Sequence, residues 1–216
     1  MDLKTFEETI FKNKNIIKCS NKYISTNTGI NIVTIFTEIN NKENLLKIKL
    51  PKLLAMKGIG VYENSRYLID LFFDNNDTEI EKTKLIFIVF DTLIKKIASQ
   101  HPEWFDKETI SEKEIETMFK PTIRTTKDEY DSIRTKIFCN KNNELQLTCY
   151  DQYNKKCKDI KNHIKKNSLI EATLQCNGLW FYQNNFGLTW RLIKCISEPC
   201  VSKIKENKCY ISEQNE

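Results

Sequence analysis

"SLIEATLQCNGLWFYQNNFGLTWRLIKCI", residues 168 to 196, reads as two strands, SLIEATLQC and FGLTWRLIKCI, on either side of an aromatic segment, NGLWFYQNN. In FGLTWRLIKC a period of two sets Phe186, Leu188, Trp190, Leu192 and Lys194 on one face. Gly187, Thr189, Arg191, Ile193 and Cys195 fall on the other. The first set is the apolar one, so it is read as the core face with Trp190 inside. Trp180, Phe181 and Tyr182 lie beside the turn, where three rings cannot all be buried. With Arg191 close by, they read either as a platform on which bases stack or as a cap over an open barrel end.

The same mixture of ring and cation recurs twice upstream. Tyr62, Arg66 and Tyr67 follow the loop KGIGVYENS, in which Gly58 and Gly60 can take positive φ. In RTKIFC, alternation places Arg134, Lys136 and Phe138 on one face, an unusual composition for a core. Three strands of this kind suggest a sheet surface that meets a single-stranded polyanion.

The elements around them point to an α+β chain. INIVTIFTEI and NLLKIKL surround NNKEN and read as a hairpin, with Pro51 expected to end the second strand. RYLIDLFF, residues 66 to 73, reads as a further strand. From Ile80 to Ala98, Leu85, Val89, Phe90, Leu93, Ile94 and Ile97 recur at helical spacing, with Asp77 or Thr78 as the cap. Ser111 and Glu114 form a capping box for a short helix that stops before Pro121. SIRTKIFCN and ELQLTCYDQ alternate and are joined by KNN, a second expected hairpin, and KKCKDIKNHIKK suits a short basic helix. Strands enclosing helices, with a hairpin-rich C-terminal half, predict a mainly antiparallel Greek-key barrel with inserted helices.

Composition narrows the class. Of 216 residues, 40% are hydrophobic and 29% charged, with only five glycines and four prolines, which excludes a fibrous or disordered chain. One domain over residues 1–216 is expected, with a barrel core at about 30–200, a helical insertion at about 78–120 and short flexible ends. The net charge of +5 is uneven: Lys120 to Lys166 holds twelve Lys or Arg against six Asp or Glu. The opening MDLKTFEETIFKNKN is charged and lacks an apolar core, so no secretory leader is expected and the eight cysteines read as reduced, intracellular thiols. LIFIVF is bounded by Lys84 and Asp91, which excludes a transmembrane helix. With two histidines and neither H-E-x-x-H nor C-x-x-C, no metal or cofactor is expected. Asp70 with Asp74, or Asp128 with Asp131, could hold magnesium in a nuclease; solvated surface is the plainer reading.

The order of motifs adds a resemblance. LPKLLAMKGIGVYENSRYLIDLFF, FDTLIKKIASQHPEWF, SEKEIETMFKPTIR, then IRTKIF and GLWFYQNNFGLTWRLIKC, taken in sequence from about Leu45 to Ile196, resemble the single-stranded DNA-binding proteins of nucleocytoplasmic large DNA viruses. That resemblance implies an oligonucleotide-binding barrel without catalysis, coating exposed strands at viral replication sites in the host cytoplasm. It places recognition on Trp180, Phe181, Trp190, Arg191 and Lys194, on Lys57 and Tyr62, and on Arg134 and Lys136. Arg66, Tyr67, Phe138 and Tyr182 join them from the ring-and-cation pattern. The expected partner is single-stranded DNA, with RNA, a homo-oligomer and viral replication proteins left open, and no membrane. A protein-binding module built on the aromatic stretch is the alternative.

Overall fold

Residues 168 to 198 form one long hairpin rather than two strands around a loop: Ser168–Tyr182 runs straight into Asn185–Glu198. Only Gln183 and Asn184 turn the chain, both at positive φ (46° and 58°), the backbone of a tight two-residue hairpin turn. The computed structural model describes Glu8 and residues 17–25, 29–39, 42–62, 66–126 and 130–199, excepting the side chains of Ile39, Tyr62 and Arg66.

In chain order the strands are β1 (Ile17–Cys19), β2 (Tyr23–Ile24), β3 (Asn31–Val33), β4 (Ile35–Ile39), β5 (Lys42–Leu45), β6 (Lys47–Ala55), β7 (Gly60–Tyr62) and β8 (Arg66–Phe72). Then come helix α1 (Thr78–Ala98), a 3-10 turn (Pro102–Phe105), α2 (Glu112–Met118), β9 (Phe119–Lys120), β10 (Ile123–Thr125), β11 (Asp131–Ile137), β12 (Thr148–Asp151), α3 (Ile160–His163), β13 (Ser168–Tyr182) and β14 (Asn185–Glu198). Strands β6, β8, β11, β14 and β13 pair in that cyclic order and return to β6, so the sheet closes. Every contact in the ring is antiparallel except β11 with β14, which are parallel at Lys136↔Arg191. This is a five-stranded Greek-key barrel of the oligonucleotide-binding type in an α+β chain.

Alternation fills the barrel. Ile48, Leu50, Ile69, Leu71, Ile133, Ile170, Leu174 and Leu192 point inward and are each at most 1% exposed. Pro51 does not end its strand: β6 continues through it to Ala55. Opposite Leu50 and Pro51 the pairing skips, from Thr173↔Lys49 to Glu171↔Lys52, so the proline sits in a bulge, where its missing N–H breaks no ladder bond. The inward set changes parity across it, from Ile48 and Leu50 to Leu53 and Ala55. A second bulge at Ile193 corrects the strict alternation expected there: Lys194 faces out, while Cys195 and Ser197 face in. A third, at Asn177, precedes Gly178, whose φ is +111° and whose added Cβ would lie 2.1 Å from the Val33 carbonyl; only glycine lets β3 approach β13 here.

Two expected hairpins are also redrawn. INIVTIFTEI divides at Thr34: β3 joins β13, and β4 pairs β5 and β1 in a separate three-stranded sheet. The KNN segment makes one bridge, Cys139↔Leu145, after which β12 pairs in parallel with β14. Local sequence favours the turn, but β14 offers a longer open edge.

Helix α1 forms where its pattern predicts, but its buried face is turned from the expected stripe: Ile80, Ile86, Phe87, Phe90 and Ile94 are buried, while Leu85 and Val89 are exposed, because Phe87 and Phe90 are the residues that pack on Trp190. Asp77 caps it, accepting from the Glu79 and Ile80 amides at 2.9 and 3.2 Å. Its buried face presents Phe87 and Phe90 to Trp190, with ring centroids 5.2 and 6.0 Å apart, so the helix covers the barrel end where β14 begins. Asp91 on the same face fixes the next loop: its carboxylate accepts from the Thr122 amide at 2.8 Å and the Thr122 hydroxyl at 2.6 Å. The capping box at Ser111 and Glu114 forms as expected. At the other barrel end α3 covers Tyr67, whose hydroxyl accepts from Lys161.

Burial pushes the Asp91 carboxyl up to about 6, against the Thr122 bonds and Lys95, which pull it down. The folded state therefore holds this proton more tightly than the unfolded chain. Its contribution is complete below the ordinary aspartate range and is lost as pH rises through about 4 to 6. Asp91→Asn keeps an acceptor for Thr122 without the charge. Its Tm relative to the native protein should rise between pH 4 and pH 7, by at most about 3 kcal/mol of stability; thermal melts across that range check this. Trp190→Ala should cost about 3–5 kcal/mol in a denaturant titration, whereas Trp190→Phe, which removes an indole N–H buried without an acceptor among the described residues, should cost under about 1.5 kcal/mol.

Candidate nucleic-acid interface

In barrels of this type the second and third strands and the loops after the first and fourth strands form the ligand surface. Here those are β8, β11, residues 56–65 and the Gln183–Asn184 turn. The outward residues of β11 are Arg134 and Lys136, both exposed. Arg134 is held flat on the sheet by Asp70 of β8, through Nε at 2.7 Å and Nη2 at 2.8 Å. Lys136 stands between Leu68 of β8 and Arg191 of β14.

Arg191 is built in from three sides. Its Nη2 donates to the Gln146 side-chain oxygen at 3.0 Å, and its guanidinium carbon lies 4.6 Å from the centre of the Phe138 ring. Nε is shielded from solvent with no hydrogen-bond acceptor among the described residues. Partial burial lowers the Arg191 pKa, yet guanidinium remains the charged form at neutral pH. Lys194, turned outward by the bulge, lies 5.4 Å from the Tyr150 ring centre on β12. Arg124 on β10 adds a further exposed cation, its pKa lowered first by burial and then by Arg134.

The outer surface of β6 and β13 is different in kind. Lys49 pairs with Glu171 at 2.7 Å, and Lys52 with Glu198 at 2.5 Å. Cations there already face carboxylates. On β14 and β12 they face rings and an amide, so the positive potential is left for a ligand.

The aromatic stretch splits by alternation. Phe181 points inward, stacked 5.8 Å from Phe186 and edge-on to Phe105 and Trp104. Trp180 and Tyr182 point outward, Tyr182 being 56% exposed. Trp180 lies opposite Gly187 on β14 and Ile32 on β3, and Ile32 lies opposite Tyr23 on β2. Directly opposed residues share a face, so Tyr23, Ile32 and Trp180 form one apolar row. A Cβ at Gly187 would meet the Trp180 ring at 3.2 Å and the Lys120 carbonyl at 2.8 Å; glycine gives the indole room to lie over the strand. From Gly187 to Arg191 the outer face of β14 runs about 13 Å, which connects this row to the cationic patch.

Of the remaining residues singled out in the sequence, Lys57 is exposed in the turn after β6. Tyr67 and Trp190 are 8% and 2% exposed; one faces α3 and the other α1, so neither ring is open to a base. Tyr62 and Arg66 pair across the β7–β8 turn, but their side chains lie outside the described ones. Gly58 takes φ +68°, whereas Gly60 does not take positive φ. Sequence reading missed Tyr150, Gln146, Tyr23 and Ile32, which join the surface through pairings distant in the chain.

The acidic pairs do not converge. Asp70 is occupied by Arg134, Asp74 turns onto Asn76, and Asp131 pairs with Lys84 at 3.2 Å; Asp128 lies outside the described residues. Among the described residues, the group of side chains that could hold a metal is Cys149, Cys157 and His163. The described cysteines are free thiols, and no described helix is long and apolar enough to cross a membrane.

No protein-family model matches the sequence, and no curated protein matches it. Among solved structures the chain is similar to gp2.5, a single-stranded DNA-binding protein encoded by bacteriophage T7, with a TM-score of 0.52 at 13% identity over 78% of this chain and 100% of that one. It is also similar, with a TM-score of 0.41 at 9% identity over 91% of this chain and 96% of the other, to the single-stranded DNA-binding protein from bacteriophage Enc34. The complex of the Enc34 protein with single-stranded DNA gives a TM-score of 0.42 at 8% identity over 87% of this chain and 97% of that one. The likeness to gp2.5 establishes a shared fold, the oligonucleotide-binding barrel.

Proposed function

We infer that the chain is a sequence-tolerant single-stranded DNA-binding protein without catalysis, which coats exposed strands in viral DNA replication, recombination or repair. The observation that carries this reading is the outer face of β11 and β14, where Lys136, Arg191 and Lys194 share a surface with the rings of Phe138 and Tyr150. Cations meet phosphates and rings meet bases, and neither contact reads sequence. The likeness to gp2.5 supports it, since that protein binds single-stranded DNA on the same fold. The resemblance of the ordered motifs to the single-stranded DNA-binding proteins of nucleocytoplasmic large DNA viruses is the ground for a viral setting and for action at replication sites in the host cytoplasm.

The apolar row of Tyr23, Ile32 and Trp180 favours a second reading, a protein-binding patch used by a replication or transcription factor. The two part on Trp180. Trp104 and Trp190 are buried, so an indole signal that responds to ligand belongs to Trp180. Titration with oligothymidine at low salt should quench tryptophan emission, duplex should quench it weakly, and Trp180→Phe should remove the response. Binding that survives Trp180→Ala with unchanged affinity would assign the row to protein contact instead.

The phosphate half is tested by salt. The slope of log K against log salt should become shallower by about 0.7 for each of Lys136→Ala, Arg191→Ala and Lys194→Ala. Asp70→Asn removes the carboxylate that occupies Arg134 and should act in the opposite direction, tightening binding. A native slope near zero would overturn the mechanism.

A further inference from the structure

Between β11 and β13 the chain folds a small unit against the barrel. Cys149 on β12 leads into a turn in which the Asp151 carboxylate accepts from the Tyr153 and Lys155 amides at 2.9 and 2.8 Å. The returning strand bridges Lys156 to Tyr150, and the Cys157 amide donates to the Cys149 carbonyl at 2.9 Å. Asp159 then caps α3, whose last residue is His163. Two Sγ atoms and one imidazole nitrogen, from Cys149, Cys157 and His163, lie within 4.8 Å of one another. His163 Nε2 is shielded from solvent and has no hydrogen-bond partner among the described residues. Cys195 lies directly opposite Cys149 in the parallel β12–β14 pairing and is 1% exposed.

Three thiols and a buried imidazole nitrogen are poor partners for each other. A thiol is a weak donor and a weak acceptor, and a buried ring nitrogen left unpaired is destabilising. A dication satisfies all of them at once, because each thiolate and the neutral imidazole then becomes a ligand. Sulfur and nitrogen donors without a carboxylate among them select zinc over magnesium or calcium.

We propose that Cys149, Cys157 and His163, with Cys195 as the fourth ligand, form a structural zinc site. Binding releases three thiol protons to solvent and leaves three thiolates and one neutral imidazole around Zn²⁺, with net charge −1. A set of four protein ligands leaves no open position, so the site is structural rather than catalytic. The metal pins the connection between β11 and β13 onto β14. It thereby fixes Tyr150, the residue after Cys149, beside Lys194. The site stands independently of the DNA-binding reading.

The full chain, purified in a non-thiol reductant without chelator, should carry about one zinc per molecule by atomic emission. Cys149→Ser, Cys157→Ser and His163→Ala should each bring this near zero, while Cys139→Ser should leave it intact. Because ligand variants can misfold, the native protein is also stripped with a strong chelator and refilled with Co²⁺. Tetrahedral cobalt absorption with a thiolate charge-transfer band is expected, and Cys195→Ser should lower that band by about one third. Absence of stoichiometric zinc together with absence of the thiolate–cobalt band, or a mapped disulfide between Cys149 and either partner thiol under the same conditions, would overturn the site.

Discussion

The hairpin of β13 and β14 is the constraint on which the rest of the structure depends. Its two strands pair with each other along nearly their whole length, and each also supplies the outer edge of another strand: β13 to β6, β14 to β11. A barrel closes only if both edges are satisfied at once, since an open edge in the core leaves backbone groups unpaired. The bulges on β13 and β14 are the adjustments that make this fit, because they let one strand curve around the barrel while keeping apolar side chains inward. The bulge that closes the wall also presents Lys194 to solvent. Fold and surface chemistry are set by the same extra residue.

The two outer faces show how a modest net charge can still be concentrated on one side of a barrel. On β6 and β13 the lysines are matched by glutamates across the strands, an arrangement worth about 0–1 kcal/mol per pair and of little electrostatic reach. On β14 the cations are supported by ring faces and a glutamine, which position them without cancelling their charge. Asp70 is in direct contact with the neighbouring cation on β11, and it aligns Arg134 while reducing its pull.

Much of this was legible in the sequence where the signal is local. The helix at 78–98 shows its cap and its period, although Ile86 and Phe87 rather than Leu85 and Val89 lie on its buried face, the capping box at Ser111 forms as written, and the ring-and-cation strands at 134–138 and 186–194 are strands. What escaped depends on distant partners. Pro51 reads as a strand end until Thr173 and Glu171 show that the ladder skips it. Trp180 and Phe181 are chemically alike and adjacent, but β3 and the 3-10 turn decide which of them faces out. Trp190 reads as interior from strand alternation, but its partners do not: α1 brings Phe87 and Phe90 to it across about a hundred residues of chain. Cys149, Cys157 and His163 match no familiar spacing, since cross-strand pairing and a one-turn helix, rather than a local knuckle, bring them together.

The position of the closing hairpin also has a consequence for biosynthesis. Strands β13 and β14 follow every other described strand, so while the chain is being made β6 and β11 emerge with bare edges and an apolar inner face. At a ribosomal rate of about 5–20 residues per second, the more than one hundred residues between β6 and the end of β14 leave those edges open for several seconds. During that interval the nascent chain is a candidate for strand addition from its neighbours and a client for holdase chaperones. The architecture that displays a cationic outer face in the finished protein thus leaves the unfinished one with unprotected edges until its last strands arrive.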